Sequence, residues 1–315
     1  MYQMGTTVAK KQEYIKMHKK EKTFIKKFKN NIEPFLYLLP AAVIFIAFTF
    51  YPFIKTIYIS LFITNPQGAL NKFIGLKNYL YLFTSPDFIN SLYVTLKFVI
   101  LTVPLSIAFA FILSVFGNMK IKGSGIFRTI YAMPISIASA SAAVIWTILF
   151  NPSIGFINYV LSFFKISPIG WLIDPQWGII AVSIVTIWLN IGMNFIFLLG
   201  GLQSIPKDLY ESAQIDGANI FMQHLKITIP MLSPTLFFVM VIDVINAFQQ
   251  FGVINIMTQG GPIDSTNVVV YSIYRDAFFN FRFGVASAES IILFTIMLIF
   301  TLVQFKTSEK KVFYR

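Results

Sequence analysis

Long uncharged apolar runs alternate along the chain with shorter polar stretches rich in lysine, arginine, proline and glycine. No charged residue occurs between Phe35 and Ile54, a run of 20 residues that matches the roughly 20 needed for a helix to cross the hydrocarbon core of a bilayer. The pattern predicts about six transmembrane helices, at about residues 35–62, 91–119, 130–150, 178–201, 231–251 and 283–305. The predicted fold class is therefore an all-α, polytopic membrane protein.

Most of the chain has the composition of a protein that is solvated by lipid. Hydrophobic residues make up 56% of the 315 residues and charged residues only 12%, whereas a soluble domain carries about a quarter charged residues. The mean hydropathy is +0.71. Cysteine is absent, so no disulfide framework, zinc–thiolate site or thiol nucleophile can be built. These values disfavour a soluble enzyme.

The basic residues are concentrated where topology signals are expected. A formal charge of +12 can attract a nucleic acid, but nine of the 25 Lys and Arg residues lie between Lys10 and Lys29, and most others lie at the ends of apolar runs. Together the N-terminal tail, the two basic loops and the C-terminal segment hold 18 of the 25. By the positive-inside rule these parts face the cytoplasm, and we expect no nucleic-acid partner.

This charge pattern divides the chain into three parts. We predict a basic cytoplasmic tail over residues 1–33, a membrane domain over residues 34–305, and a basic cytoplasmic C-terminus over residues 306–315. Both termini are thus expected on the cytoplasmic side, in the plasma membrane of a prokaryote.

Two external segments are predicted to be irregular. Residues 63–91 contain the turn signals Asn-Pro-Gln-Gly and Ser-Pro-Asp, and residues 151–177 contain recurring proline and glycine with room for a short interfacial helix. Trp171 and Trp177 suit the headgroup zone, where tryptophan is enriched. Glu289 lies near the external end of the sixth span, and we expect it to be an interfacial residue.

The cytoplasmic loop over residues 203–230 is the most polar part of the chain after the N-terminal tail. It predicts a short helix, a break at Gly217, a second short helix, and a re-entry to the membrane at Pro230. A rigid protruding loop of this kind is suited to docking a partner protein. An ordinary helix-turn-helix with a buried glycine is the alternative.

A fixed spacing runs through this loop: Glu-Ser-Ala, three residues, Gly, nine residues, then Ile, one residue, Ile and Pro. The residues are Glu211, Ser212, Ala213, Gly217, Ile227, Ile229 and Pro230. The loop resembles the coupling loop of ABC importer permeases, in which Ala is commoner than Ser at the second position. Further segments resemble the sugar-importer branch of that family, which includes the maltose-type permeases: Phe73-Ile74-Gly75-Leu76-Lys77-Asn78-Tyr79, Phe150-Asn151-Pro152 with Gly155 and Asn158, and Met257-Thr258-Gln259-Gly260-Gly261-Pro262. The resemblance covers about residues 35–305.

The resemblance implies a type I ABC importer transmembrane domain whose coupling loop sits in a cleft of a cytoplasmic ATPase. The implied coupling residues are Glu211, Ser212, Ala213, Asp216, Gly217, Ala218, Ile227 and Pro230. The implied partners are a second permease subunit, two ATP-binding subunits and an extracytoplasmic solute-binding protein. No nucleotide-binding loop of the G-x-x-x-x-G-K-[ST] type occurs in the sequence. We therefore expect a transport subunit without enzymatic activity, cofactor or metal.

Asp243 is the clearest candidate for a residue of the substrate pathway. A charge near the centre of a transmembrane helix is costly and usually faces water or a partner. The maltose-type permeases, by resemblance, use the positions of Ser139, Thr186, Trp188, Asn190, Asp243, Ala247 and Gln250. Trp188 could join Thr186 and Asn190 only if the fourth helix were broken, because a regular helix turns it to another face. For each polar residue, an interhelical hydrogen bond is the alternative to substrate contact.

Two other kinds of transporter remain open from the sequence. An ion-coupled secondary transporter could use Asp243 and Glu289 in an ion path, although it would not need the coupling loop. An ABC importer for glycerol phosphate or another polyol compound would favour basic residues in the pathway. The apolar cores of the third to fifth spans contain no Lys or Arg, which favours a neutral sugar or oligosaccharide. His224 is expected to be a docking contact rather than a metal ligand, since the only other histidine is His18 in the tail.

Overall fold

The computed structural model describes residues 37–119 and 122–308. The described part holds a helix α1 (Tyr37–Ile59), strands β1 (Phe62–Thr64) and β2 (Leu70–Phe73), and helices α2 (Lys77–Thr84), α3 (Pro86–Asn118), α4 (Ser124–Ala132), α5 (Ser139–Leu149), α6 (Phe156–Phe163), α7 (Pro175–Gln203), α8 (Lys207–Ile215), α9 (Ile220–Gln223), α10 (Ile229–Phe248), α11 (Gly252–Met257), α12 (Val269–Phe278) and α13 (Phe283–Ser308). The tail over residues 1–33 and most of the segment 306–315 lie outside the described residues.

The chain divides into two compact units, Met1–Tyr58 and Ile59–Arg315. The described part of the first unit consists of most of α1, which is apolar, contains a π-helical turn at Ile46–Phe50 and has no buried residue in that turn or after it. The second unit contains all the other elements.

Five helical segments are long and apolar enough to cross a membrane, and a sixth span arises if one bent pair of helices counts as a single crossing. The five are Tyr37–Ile59, Pro86–Asn118, Pro175–Gln203, Ile220–Met257 and Phe283–Thr307. The prediction of an all-α membrane fold with about six transmembrane helices is thus confirmed.

Helix α3 begins at Pro86 rather than at residue 91, and α7 begins at Pro175 rather than at residue 178. In both cases a proline occupies the first turn of the helix, where its missing N–H has no intrahelical partner to lose. The Asp174 side chain also accepts a hydrogen bond from the backbone N–H of Gln176 and so caps α7. The Ser-Pro-Asp sequence at 85–87, which we interpreted as a turn, is therefore a helix start.

The third predicted span, at residues 130–150, is not one straight helix. Helix α4 continues into a 3₁₀ turn at Met133–Ser136, and α5 then leaves at an angle of 103°. Pro134 lies in that turn and cannot donate a backbone hydrogen bond. A Cβ atom at Gly192 of α7 would lie 2.8 Å from the backbone nitrogen of Ile135, so the glycine lets the bend pack directly on α7.

The segment at residues 63–91 is more ordered than the predicted loop. Strands β1 and β2 form an antiparallel hairpin, and α2 follows it. This hairpin is the only β-sheet in the described part of the chain. The Asn78 side chain donates to the carbonyls of Ser60 and Phe62, at 2.7 and 3.1 Å. A Cβ atom on Gly284 would lie 2.1 Å from the Phe62 carbonyl oxygen, so this glycine seats the hairpin against the start of α13.

The segment at residues 151–177 contains the short helix α6 and is organised around one asparagine side chain. Asn158 donates to the carbonyls of Pro152 and Ile169, and its Oδ1 atom accepts from the indole N–H of Trp171 at 2.9 Å. Trp171 is 7% exposed. Trp171 therefore has its N–H satisfied inside the protein, and its place at the headgroup level stays a prediction.

Helices α3, α7 and α10 pack together around a buried carboxylate. Asp243 of α10 is 2% exposed. Its Oδ2 atom accepts hydrogen bonds from Ser106 Oγ of α3 and from Asn194 Nδ2 of α7, each at 2.6 Å. One oxygen atom therefore joins three helices, and apolar side chains such as Val239 and Leu198 surround the core nearby.

We predict that Asp243→Ala lowers the free energy of unfolding of the detergent-solubilised protein. It removes the acceptor of the buried Asn194 amide, at about 1–3 kcal/mol, and leaves the Ser106 hydroxyl with only the Val103 carbonyl. Asp243→Asn should lose less than half as much, since one amide oxygen can accept both bonds that now reach Oδ2. Thermal unfolding followed by loss of monodisperse protein measures both. Asn246→Ala, at an exposed position of the same helix, serves as the control. Equal stability of wild type and Asp243→Ala would contradict the role given to this carboxylate.

Candidate functional site

The polar loop after α7 is shaped by a helix-ending motif centred on Gly217. Gly217 has φ +77°, in the left-handed region. The N–H of Ala218 donates to the carbonyl of Ala213 at 2.9 Å, and the N–H of Gly217 donates to that of Gln214 at 3.1 Å. This pair of bonds is a Schellman motif, which places glycine one residue past the last helical cap. The motif explains why the sequence spacing needs a glycine at this position.

The second half of the loop starts a new helix at once. Asn219 caps α9, because its side chain accepts from the N–H of Met222 at 2.8 Å. A π-helical turn at His224–Thr228 then leads into α10, and the N–H of Ile229 donates to the carbonyl of His224. Pro230 lies in the first turn of α10. The expected re-entry at Pro230 is therefore a continuous helix rather than a new start.

Hydroxyl groups brace the two halves of the loop. Tyr210 of α8 lies 3.0 Å from the Thr228 hydroxyl, and His224 Nδ1 lies 3.1 Å from the same hydroxyl. Thr228 is 1% exposed. His224, which we expected to be a docking contact, thus has a structural partner within the loop.

Half of the predicted coupling residues lie on the exposed surface of this loop. Glu211, Ser212, Asp216 and Gly217 are exposed, whereas Ala213, Ala218, Ile227 and Pro230 are half-buried. Ile227 packs against the apolar cluster that contains Leu198 and Leu232, and the exposed residues are available to a partner.

Sequence reasoning missed a cluster of exposed apolar side chains at the tip of the loop. Ile215 is 87% exposed, Ile220 73% and Phe221 72%. They flank the glycine break, where helix α8 ends and α9 begins. Large apolar side chains beside a turn in an otherwise polar loop were the available signal, since such a patch marks an interaction site.

Four of the predicted pathway residues lie near the end of α10. Gln250 Nε2 lies 3.4 Å from the Thr186 hydroxyl of α7. Gln250 lies beyond the helix, because α10 ends at Phe248 rather than at residue 251. Ala247 is 2% exposed. Ser139 is exposed at the start of α5, close enough that a Cβ atom on Gly252 would lie 3.2 Å from its hydroxyl.

The other three predicted pathway residues, Trp188, Asn190 and Asp243, make different contacts. Helix α7 is continuous from Pro175 to Gln203, so the break that would bring Trp188 to the face of Thr186 and Asn190 is absent. Trp188 packs edge-on against Trp146, at 5.7 Å between ring centroids. Asn190 is half-buried. Asp243 is enclosed by the hydrogen bonds from Ser106 and Asn194, two residues that carry no motif and that sequence reasoning did not identify.

Glu289 is not an interfacial residue, because it is 1% exposed. Its Oε1 atom accepts from the Ser272 hydroxyl at 3.0 Å. Asp243 and Glu289 have no hydrogen-bond partner in common. Within residues 37–119 and 122–308, no group of three or more His, Cys, Asp or Glu side chains is arranged to hold a metal ion.

Known permeases are similar to this chain in sequence. The sn-glycerol-3-phosphate transport system permease protein UgpA of Agrobacterium fabrum is 36% identical over 290 residues, which cover 91% of this chain and 98% of that protein. The proteins of the same name from Brucella abortus and Pectobacterium atrosepticum are 36% and 32% identical, with the same coverage.

Two solved structures are also similar. One is a bacterial ABC transporter involved in the import of the acidic polysaccharide alginate, with a TM-score of 0.77, 25% identity, and coverage of 90% of this chain and 98% of that one. The other is a bacterial alginate ABC transporter in complex with a periplasmic protein bound to an alginate pentasaccharide, with a TM-score of 0.76, 25% identity, and coverage of 90% and 96%.

The family model for the inner membrane component of binding-protein-dependent transport systems matches residues 88–308. That stretch contains the bent helix pair α4 and α5, the Asp243 contacts and the loop at Gly217. The chain therefore belongs to this family, the ABC importer permeases, and is a multi-pass membrane subunit of an importer.

Proposed function

We propose that this chain forms half of the transmembrane pathway for a sugar or oligosaccharide in the inner membrane of a prokaryote. An extracytoplasmic binding protein would deliver the substrate. Two cytoplasmic ATPase subunits would supply the energy, so that ATP hydrolysis takes place on other chains. A second permease subunit, related but not identical, would complete the pathway.

The shape of the coupling loop is the observation that carries this proposal. The loop consists of a short helix, a Schellman turn at Gly217 and a capped second helix. This geometry leaves Ile215, Ile220 and Phe221 exposed to solvent. Exposed apolar side chains on a rigid loop favour insertion into a cleft of a partner. The loop also runs without interruption into α10, so a movement of the partner would reach the membrane domain directly.

The proposed substrate class depends on the polar side chains near the middle of the membrane domain. Thr186 and Gln250 offer a hydroxyl and an amide, which suit the donors and acceptors of a sugar. Helices α5, α7 and α10 contain no Lys or Arg, whereas phosphate binding prefers such cations.

A glycerol phosphate importer is the second candidate. The relatives of that name are up to 36% identical and cover most of the chain. The alginate importers, at 25% identity, support a saccharide instead. A panel containing maltose, an oligosaccharide and sn-glycerol 3-phosphate separates the two candidates when uptake is measured in vesicles that contain the complete importer.

We predict that Gly217→Val abolishes ATP-dependent uptake in vesicles that hold the permease, its partner permease, the ATPases and the binding protein. The β-branched side chain opposes the left-handed backbone by about 1–2 kcal/mol, although a Cβ atom at this position would meet no other atom within 4 Å. Gly217→Asn is the matched control, because asparagine tolerates this conformation. It should keep most of the uptake.

ATPase retention on washed membranes accompanies this measurement. Loss of both uptake and bound ATPase in the valine variant, with the permease still inserted, is the expected result. Uptake that does not depend on ATP and is equal in both variants would exclude the coupling role of the loop.

We predict that Thr186→Val raises the KM for sugar uptake several-fold while the amount of inserted protein stays constant. The change removes a hydroxyl that faces Gln250 and keeps the shape of the side chain. Thr295→Val is the matched control, because the Thr295 hydroxyl donates to the carbonyl four residues earlier, as does that of Thr186, but lies on an exposed face of α13. An equal KM in both variants would remove Thr186 from the pathway.

A further inference from the structure

A polar cavity of about 300 Å³ lies where the start of α3, the segment before α12 and the start of α13 meet. Its lining includes the carboxyl groups of Asp87, Asp264, Asp276 and Glu289 and the guanidinium groups of Arg275 and Arg282. In the predicted topology this end of the helices faces the outside. The cavity is separate from the contact between Thr186 and Gln250.

Ion pairs account for half of the acidic groups. Arg275 Nη1 lies 2.7 Å from Asp264 Oδ1, and Arg282 Nη2 lies 2.6 Å from Asp276 Oδ1. Burial opposes the charge on Arg282, but hydrogen bonds to Asp276 and Tyr81 raise its pKa above the usual value. Among the described residues, these two ion pairs leave Asp87 and Glu289 as the carboxyl groups of the lining outside a salt bridge.

Glu289 has an unused acceptor in this cavity. Its Oε1 atom accepts from Ser272, whereas its buried Oε2 atom has no hydrogen-bond partner among the described residues. Leaving a buried polar oxygen unpaired is unfavourable, and buried polar groups in folded proteins are nearly always paired. The free oxygen thus points to a bound molecule that forms a hydrogen bond with it.

The lining selects the chemical class of that molecule. Guanidinium groups, each with five N–H donors, lie beside carboxylate acceptors, so a ligand with both donors and acceptors fits. The exposed carboxylate of Asp87 disfavours phosphate esters, and two guanidinium groups disfavour a metal ion. A volume of about 300 Å³ holds roughly ten water molecules, which leaves space for one sugar ring and not for an oligosaccharide.

We propose that this cavity is an outer subsite that binds one ring of a neutral sugar, with a ligand hydroxyl donating to Glu289 Oε2. Arg275 and Arg282 donate to other oxygens of the ring. This proposal rests on the proposed sugar import and adds a second point of recognition, on the side from which substrate arrives. Asp87, exposed at the rim, repels anionic competitors.

The test measures equilibrium binding of radiolabelled glucose, maltose and sn-glycerol 3-phosphate to the purified importer in lipid nanodiscs, without binding protein. We expect glucose or maltose to bind, and sn-glycerol 3-phosphate to bind at least tenfold more weakly. Glu289→Leu should weaken sugar binding at least tenfold. Asp174→Asn, an acid-to-amide change outside this cavity that keeps a helix-capping side chain, should leave binding unchanged.

Asp87→Asn provides a second variant, at an exposed position where the substitution does not disturb folding. It removes one negative charge from the rim, so it should reduce the preference for the neutral sugar over sn-glycerol 3-phosphate several-fold. Sugar binding that is equal in wild type, Glu289→Leu and Asp87→Asn would overturn the subsite, as would tighter binding of the phosphate ester.

Failure of the subsite is distinguishable from failure of sugar import. ATP-driven sugar uptake that depends on the loop at Gly217, together with no binding at this cavity, overturns only the subsite. Absence of sugar uptake in the complete importer overturns the proposed function itself.

Discussion

One carboxylate oxygen, Oδ2 of Asp243, fixes how the central helices meet. A buried acid inside an apolar bundle is tolerable only with donors at hand, and Ser106 of α3 and Asn194 of α7 supply them. Apolar packing in a membrane is weakly directional, because lipid chains are as apolar as the side chains they replace. The two hydrogen bonds therefore set a register of α3, α7 and α10 that packing alone would leave loose.

The features predicted well from sequence are those whose cause is local. Apolar runs longer than a bilayer require helices, so the membrane fold followed from the pattern. Gly217 could be identified because a left-handed backbone needs a particular residue at a particular distance from the preceding helix. Pro86 was misinterpreted because the same local chemistry, Ser-Pro-Asp, serves both turns and helix starts.

The features missed depend on residues far apart in the chain. The bend at Pro134 packs against Gly192 of another helix, where a larger residue would clash. The sequence near Pro134 does not indicate that contact. Tryptophan enrichment at membrane surfaces suggested nothing about the partner of Trp171, which is Asn158, 13 residues away. Glu289 likewise is buried only because α12 and α13 fold together around Ser272.

The uninterrupted path from α9 through the π-helical turn into α10 has a mechanical consequence. From Ile220 to Phe248 the chain is helical without a break, about 40 Å long at the helical rise per residue. The π-helical turn at His224–Thr228 and Pro234 inside α10 are the two places along this length where a helix bends most easily. Gln250 lies two residues beyond Phe248, so a displacement of the loop that is not absorbed at those two places would change the contact between Gln250 and the Thr186 hydroxyl.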